Sequence, residues 1–265
     1  MQTWIRFRRP DGDITYGRLD DGDADRVIEY DGPGYAEPRP TGKTYSYASL
    51  ELVAPCQPGK IVALWNNFHA LAARLEKAVP VHPLFLLKPA SSLAGPGDAI
   101  RRPRGYTGKI AYEGELGIVI GRACRDVPLS EAAAHIFGYT IVNDVTATEL
   151  LNADPNFPQW TRAKGSDTFG CIGPAIVTGF DWRSASVVTR LDGVERQNYP
   201  LSDIVFSPEE QVSLLSRDLT LMPGDVIAVG TSIGVGSMKD GAVVEVSIGG
   251  IGSLVNHVRG QADEG

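Results

Sequence analysis

Thirty glycines and eighteen prolines break this 265-residue chain into short pieces. A helix interior loses about 1 kcal/mol at each glycine and about 3 kcal/mol at each proline relative to alanine, so a chain punctuated this often favours strands and turns. Its length suffices for one large core, or for a main domain with a small one beside it. The apolar runs left between the breaks are strand-sized, at residues 60–64, 84–87, 115–120, 139–143, 226–230, 243–248 and 253–256.

Three stretches read as helices instead. Leu71, Leu75 and Val79 fall at i, i+4 and i+8 within residues 67–79, one stripe of a helix that Pro80 and Pro83 end. Residues 130–137 read as a short helix with Ser130 as N-cap and Gly138 as its stop. Ser207-Pro208-Glu209-Glu210 is a capping box with proline at the first helical position, opening a helix to about residue 216. The fold class expected is α+β, dominated by antiparallel or mixed sheet. Residues 1–58 form a small β-rich N-terminal domain, with turns at Asp11-Gly12-Asp13 and Asp21-Gly22-Asp23 and a Gly- and Pro-rich loop over 31–43. Residues 59–258 form the main domain, and 259–265 a polar tail.

A net charge of −7 argues against a nucleic acid or an anionic membrane as partner. It leaves an anionic substrate open, because a bound metal reverses the charge locally. No run approaches the ~20 apolar residues of a membrane helix. The first ten residues carry arginines in place of an apolar segment, so a cytoplasmic protein without signal peptide is expected. Cys56, Cys124 and Cys171 are odd in number and without paired spacing, which gives neither a disulfide framework nor a zinc knuckle. They read as reduced, buried thiols.

The chemistry concentrates in Tyr112-Glu113-Gly114-Glu115-Leu116-Gly117-Ile118-Val119-Ile120. In an extended chain residues i and i+2 share a face, so Glu113 and Glu115 project together. Two carboxylates that close repel, and water, a basic side chain, protonation or a cation must offset the cost. Asp144 ends the strand at 139–143, where a rigid backbone carries a side chain into a cavity. Three carboxylates with no His or Cys nearby make a hard, oxygen-only set, suited to Mg²⁺ or Mn²⁺. Taken alone, the same residues read as solvated edge-strand charges and a turn aspartate, and spacing does not carry the metal site.

The wider context resembles the fumarylacetoacetate hydrolase family. The 112–121 segment resembles that family's metal motif, and further blocks follow in the family's order. These are Gly138 to Thr146, Arg162-Ala163-Lys164-Gly165-Ser166-Asp167-Thr168-Phe169, Gly173-Pro174, Pro223 to Ile227, Gly230 to Gly236, and Gly250-Ile251-Gly252 with Asn256. Together they span about three quarters of the chain. The resemblance implies a mixed β-roll catalytic domain behind a small N-terminal domain, assembled as a homodimer. It implies Glu113, Glu115 and Asp144 as ligands of Mg²⁺ or Mn²⁺, Lys164 as the cation beside the metal, and Thr231 as a hydroxyl near a substrate carboxylate. It also implies a 2-oxo acid or 1,3-dicarbonyl substrate, with C–C hydrolysis of an acylpyruvate-like acid the leading expectation. Isomerisation or decarboxylation of a related acid is the alternative, and a metal-free binding relative the third. These reactions share an enolate, whose charge a chelating cation spreads. Lys164 would steady that charge or shuttle a proton, and a lysine so placed can titrate lower than in water.

The chain departs from the family pattern in two places. Hydrolytic members carry a His and a Glu on a short helix after an Asn-Tyr pair; aligned on Asn67-Phe68, those positions hold Leu71 and Arg74. His69 and Glu76 lie nearby, seven residues or about two helical turns apart, and are the candidates for a catalytic pair on one face. Where the family has Arg and Gln after the aspartate, this chain has Thr148 and Leu151, so Arg162, Gln159 and Asp167 are the candidates to bind substrate. The Gly230 to Gly236 run lacks the Gly-Lys-Ser/Thr ending of a phosphate loop, and no Gly-x-Ser-x-Gly elbow with suitable partners is present. Arg101-Arg102-Pro103-Arg104 reads as a solvated loop, or else as a site for an acidic group.

Overall fold

The computed structural model describes residues 1–260. In chain order the first strands are β1 (Gln2–Arg8), β2 (Ile14–Leu19), β3 (Arg26–Tyr30), β4 (Pro40–Ser46) and β5 (Glu51–Val53). Then come β6 (Lys60–Trp65), helix α1 (His69–Arg74), β7 (Leu84–Pro89), β8 (Leu93–Ala94), β9 (Ala99–Arg101), β10 (Ile110–Tyr112) and β11 (Gly114–Ile120). Helix α2 (Leu129–Ala132), β12 (Ile136–Asp144), β13 (Thr146–Ala147), helices α3 (Thr148–Leu151) and α4 (Trp160–Lys164), and β14 (Gly170–Thr178) follow. The chain continues through β15 (Ser186–Leu191), β16 (Val194–Pro200), helix α5 (Pro208–Asp218), β17 (Val226–Ala228), β18 (Gly236–Met238), β19 (Val243–Ile248) and β20 (Gly252–Arg259). The fold is a sheet-rich α+β fold, as the punctuation requires, and among the described residues only α5 exceeds two turns.

Twelve strands make the main sheet, in the order β4-β3-β2-β1-β14-β12-β11-β17-β6-β7, with β5 on β1 and β8 on β14. The N-terminal strands extend this sheet, since β1 pairs antiparallel with β14 through Trp4↔Ile176. They add a core of their own in Ile5, Phe7, Val27 and Ala175. Beyond β14 the sheet curls. Lys88 on β7 reaches Asp144 on β12, although four strand spacings separate them along the sheet. At about 4.8 Å each, those spacings exceed any lysine side chain. The β8–β14 pairing, a few residues past β7, draws the far edge back across the curl.

One face of the curl holds Ile61, Ala63, Leu86, Val119, Val142, Ile172, Val226 and Ala228, with Trp160 of α4 packed against them. The other face joins the five-stranded sheet β16-β15-β19-β20-β9 and α5 in the largest core. All three cysteines are buried and unpaired. No described helix is long and apolar enough to cross a membrane.

Several local expectations need correction. The helix expected over 67–79 is only His69–Arg74, and Glu76 already has a left-handed backbone (φ 53°). Of its intended stripe only Leu71 packs on the core, while Leu75 and Val79 stay 41% and 42% exposed, so little offsets the cost of extending the helix past Arg74. The helix expected over 130–137 stops at Ala132 and has no side-chain cap from Ser130. A 3₁₀ turn at Ala133–His135 intervenes and β12 begins at Ile136. Strand pairing with β11 claims these residues instead. The expected loop over 31–43 contains the start of β4. The capping box at Ser207 forms as expected, with Glu210 N–H donating to Ser207 Oγ and Ser207 N–H to Glu210. Of the expected tail, Arg259 still belongs to β20, and residues 261–265 lie outside the described residues.

Candidate metal centre

Strands β11 and β12 are antiparallel neighbours with Gly114 opposite Asn143. That register sets Glu113 beside Asp144, tied by Asp144 N–H to Glu113 O at 2.9 Å and Glu113 N–H to Asn143 Oδ1 at 3.0 Å. Glu115 follows on the same face. One carboxylate oxygen from each of Glu113, Glu115 and Asp144 lies within 4.8 Å of the others. Glu115 and Asp144 are fully buried, and Glu113 is partly open.

Two lysines converge on this cluster. Lys164 Nζ, from α4, donates to Asp144 Oδ2 at 2.6 Å and to Glu113 Oε2 at 2.9 Å. Lys88 Nζ, from β7, donates to Asp144 Oδ1 and to Val145 O at 3.2 Å. Thr146 Oγ1 donates to the remaining Glu113 oxygen at 2.6 Å. Glu115 is served differently: Gly230 N–H donates to its Oε2 at 2.9 Å, and its Oε1 is buried with no hydrogen-bond partner among the described residues.

The electrostatics follow. Burial pulls the Asp144 carboxyl upward, but the adjoining Lys164 and Lys88 outweigh it and hold the group below its usual range. Burial pushes Glu115 well above the usual carboxylate range, and the negative charges of Asp144 and Glu113 add to it. Lys164 corrects an expectation. Burial alone would lower it, but Asp144, Glu113 and Glu115 overcome that and raise it, so it stays an ammonium. The lysine that burial does lower is Lys88, despite its contact with Asp144. An orphaned, buried carboxylate oxygen converging with two other hard oxygen donors fits a divalent cation of the Mg²⁺ or Mn²⁺ kind.

Thr231 joins the site through the backbone between the two glutamates. Its Oγ1 donates to Gly114 O at 2.9 Å and accepts from Gln197 Nε2 at 2.9 Å. Gln197 is 1% exposed, and its amide can face only one way. Its Oε1 accepts from Gly114 N–H and Thr189 Oγ1, while its Nε2 faces the Ser232 and Ile233 carbonyls. Thr231 therefore must accept from Gln197 and has a proton to donate. Tyr199 OH also donates to Gly114 O, at 2.5 Å, so that carbonyl keeps a partner when Thr231 turns toward another acceptor. Lys88, Thr146, Gln197 and Tyr199 were absent from the sequence candidates. Only Lys88 carried a signal there, as a lysine two residues from Leu86 on the same face of an apolar strand.

The other candidates lie outside this hydrogen-bonded cluster. His69 and Glu76 are exposed, and neither side chain makes a hydrogen bond or ion pair among the described residues. With α1 ending at Arg74, they do not share a helix face. Arg162 and Asp167 are exposed, and half-buried Gln159 donates to Phe157 O at 3.1 Å.

Residues 60–259 match the family model described as fumarylacetoacetate (FAA) hydrolase C-terminal, and residues 3–55 match one described as Rv2993c-like, N-terminal. The structure of 2-hydroxyhepta-2,4-diene-1,7-dioate isomerase from Mycobacterium marinum superimposes with a TM-score of 0.88 at 35% identity, over 99% of this chain and 100% of that one. That of fumarylpyruvate hydrolase from Pseudomonas aeruginosa, in complex with Mn²⁺ and pyruvate, gives 0.71 at 29% identity, over 80% of this chain and 92% of that one. The oxaloacetate tautomerase YisK of Bacillus subtilis is 34% identical over 228 residues, 81% of this chain and 75% of the relative. By the match over three quarters of its length, the chain belongs to the fumarylacetoacetate hydrolase family.

Proposed function

We propose that this chain is a Mg²⁺- or Mn²⁺-dependent enzyme acting on a 2-oxo acid or 1,3-dicarbonyl acid through its enolate. Keto–enol or double-bond isomerisation is the reaction its residues equip best. The observation that carries the reading is the buried set Glu113, Glu115 and Asp144, with one Glu115 oxygen left without a partner. A divalent cation held by these three supplies positive charge where a 2-oxo group becomes negative.

The chain's own residues do the rest. Lys88 fixes Asp144 from behind, so that the aspartate stays charged and oriented. Lys164, locked between Glu113 and Asp144, presents an ammonium to the same edge and is the group placed to pass a proton to carbon beside the oxo group. Thr231, polarised by Gln197, offers a hydroxyl proton to a substrate carboxylate. None of these groups is required to activate water. Carbon–carbon hydrolysis would need one, and His69 and Glu76 stand exposed and unengaged. Hydrolysis is kept as the second reading because the similar fumarylpyruvate hydrolase binds Mn²⁺ and pyruvate. Assembly as a homodimer belongs to the same proposal.

Product analysis by ¹H NMR separates the readings. The protein is incubated with oxaloacetate and with acetylpyruvate, in Mg²⁺ and in EDTA. Faster keto–enol exchange that EDTA abolishes, with acetylpyruvate left intact, is the expected result. Metal-dependent release of acetate and pyruvate would establish hydrolysis instead. Activity unchanged by EDTA would overturn the metal assignment.

A further inference from the structure

A cavity of about 330 Å³ is lined by Trp65, Leu84, Phe85, Leu86 and Trp160. Two independent periodicities connect it to the metal centre. On β7, Leu84, Leu86 and Lys88 share one face, and two strand residues advance about 6.6 Å, so the lysine on Asp144 is the next inward side chain after Leu86. On α4, Trp160 and Lys164 are four residues apart, one helical turn or about 6 Å along the same face. The cavity and the site also share a floor. Leu86, Ala63, Val119 and Val142 form one buried cluster with Trp160 packed on it. Val119 lies on the strand face of Glu115, Val142 on that of Asp144, and Ala63 on that of Trp65.

The lining is aromatic and aliphatic and contains no charged side chain. The Trp65 and Trp160 ring centres are 6.1 Å apart with their planes at 55°, leaving Leu84 at the rim, 43% exposed. Lys77, whose ammonium sits 5.9 Å from the Trp65 ring centre, is not part of the lining. A second carboxylate placed here would be desolvated without a partner, whereas a flat apolar group would replace water against two indoles.

We infer that the Trp65–Leu86–Trp160 cavity is the subsite for an apolar, preferably aryl, tail on the 2-oxo acid that the metal centre holds. This rests on the function proposed above and narrows its substrate class, away from acids that end such a tail in a second carboxylate.

The test pairs an aryl 2,4-dioxo acid (benzoylpyruvate) with a diacid of similar length (fumarylpyruvate). Two quantities are read in the Mg²⁺-loaded protein: quenching of tryptophan fluorescence, and kcat/KM for conversion of each compound. Wild type is expected to favour the aryl acid by about tenfold or more in both. Leu84→Lys, which sets a cation at the exposed rim, is expected to shift the ratio at least tenfold toward the diacid. Trp160→Leu, which keeps the helix apolar, should weaken quenching by the aryl acid. Preference for the diacid in wild type, or a ratio unmoved by Leu84→Lys, overturns the inference. The two proposals fail separately. Turnover of small 2-oxo acids without aryl binding sinks the subsite alone. Quenching by the aryl acid with no turnover of any 2-oxo acid sinks the enzymatic reading and leaves the subsite standing.

Discussion

Replacing Glu115 by glutamine should change the protein's stability in opposite directions with and without metal. In the metal-free protein Glu115 is a buried carboxylate with one oxygen unpartnered and two like charges beside it. Glutamine keeps the shape, and its carbonyl can take the Gly230 N–H. Its amide then offers donors to carboxylate oxygens that lie within 4.8 Å of the replaced one. Relieving an unsatisfied buried polar group is worth about 1–3 kcal/mol. At about 2–4 °C per kcal/mol for a chain of this size, the metal-free variant should melt about 2–12 °C above wild type. Metal reverses the order. A ligand at a hundred times its Kd adds about 2.7 kcal/mol to the form that binds it, and the variant has lost a charged ligand. Differential scanning calorimetry in EDTA and in excess Mn²⁺ reads both arms. A metal-free variant less stable than wild type, or one gaining as much from Mn²⁺, would refute the idea that Glu115 is the uncompensated charge.

Gly114→Ala should cost about 1–3 kcal/mol in urea unfolding, because its new Cβ would lie 2.2 Å from Thr189 Oγ1 and 3.0 Å from Val246 Cγ1; an unchanged midpoint would mean the strand yields freely there. Gln197→Met should raise KM for a 2-oxo acid and do so far less in a Thr231→Val background, since the amide acts through that hydroxyl; full additivity in the double-mutant cycle would contradict this. Stability in EDTA should decline as pH rises from about 4.5. The raised Glu115 makes the folded state hold more protons than the unfolded one, so its contribution is full below the unfolded value and lost as pH climbs through the folded one. Asp144, held low, is felt only at more acidic pH. The gain from Mn²⁺ should therefore grow between pH 5 and 8, and a flat gain by thermal melting would show that metal displaces no proton.

That Glu113 and Glu115 share a face was legible from a strand's period of two, but only the family resemblance joined Asp144 to them as one site. Lys164 was legible by family resemblance alone, as nothing local in Trp160–Lys164 aims it at Asp144. Partnership across the chain left no such trace. Trp4 pairs with Ile176, and Gln197 reaches Thr231, through a register that only the assembled sheets define. The 67–79 helix failed for the opposite reason: its periodicity is real, but Leu75 and Val79 bury too little to extend it, and a short helix without such packing is marginal in water.

What the sequence could not supply was the charge balance, and that balance gives the centre its chemistry. A row of three acids suggests a site of net −3, one that would hold any cation and order none. The fold instead answers Asp144 with two ammonium groups and Glu113 with one shared ammonium and a hydroxyl. With all five side chains ionised the sum would be −1, and Glu115, which has only a backbone N–H, is the carboxyl that burial pushes toward its neutral form. The residual attraction is thus concentrated on one fixed oxygen, while Lys88 and Lys164 prevent the other two carboxylates from collapsing onto it by sharing a proton. A cation held there would meet prepositioned oxygens, beside a Lys164 that its carboxylate neighbours keep as an ammonium.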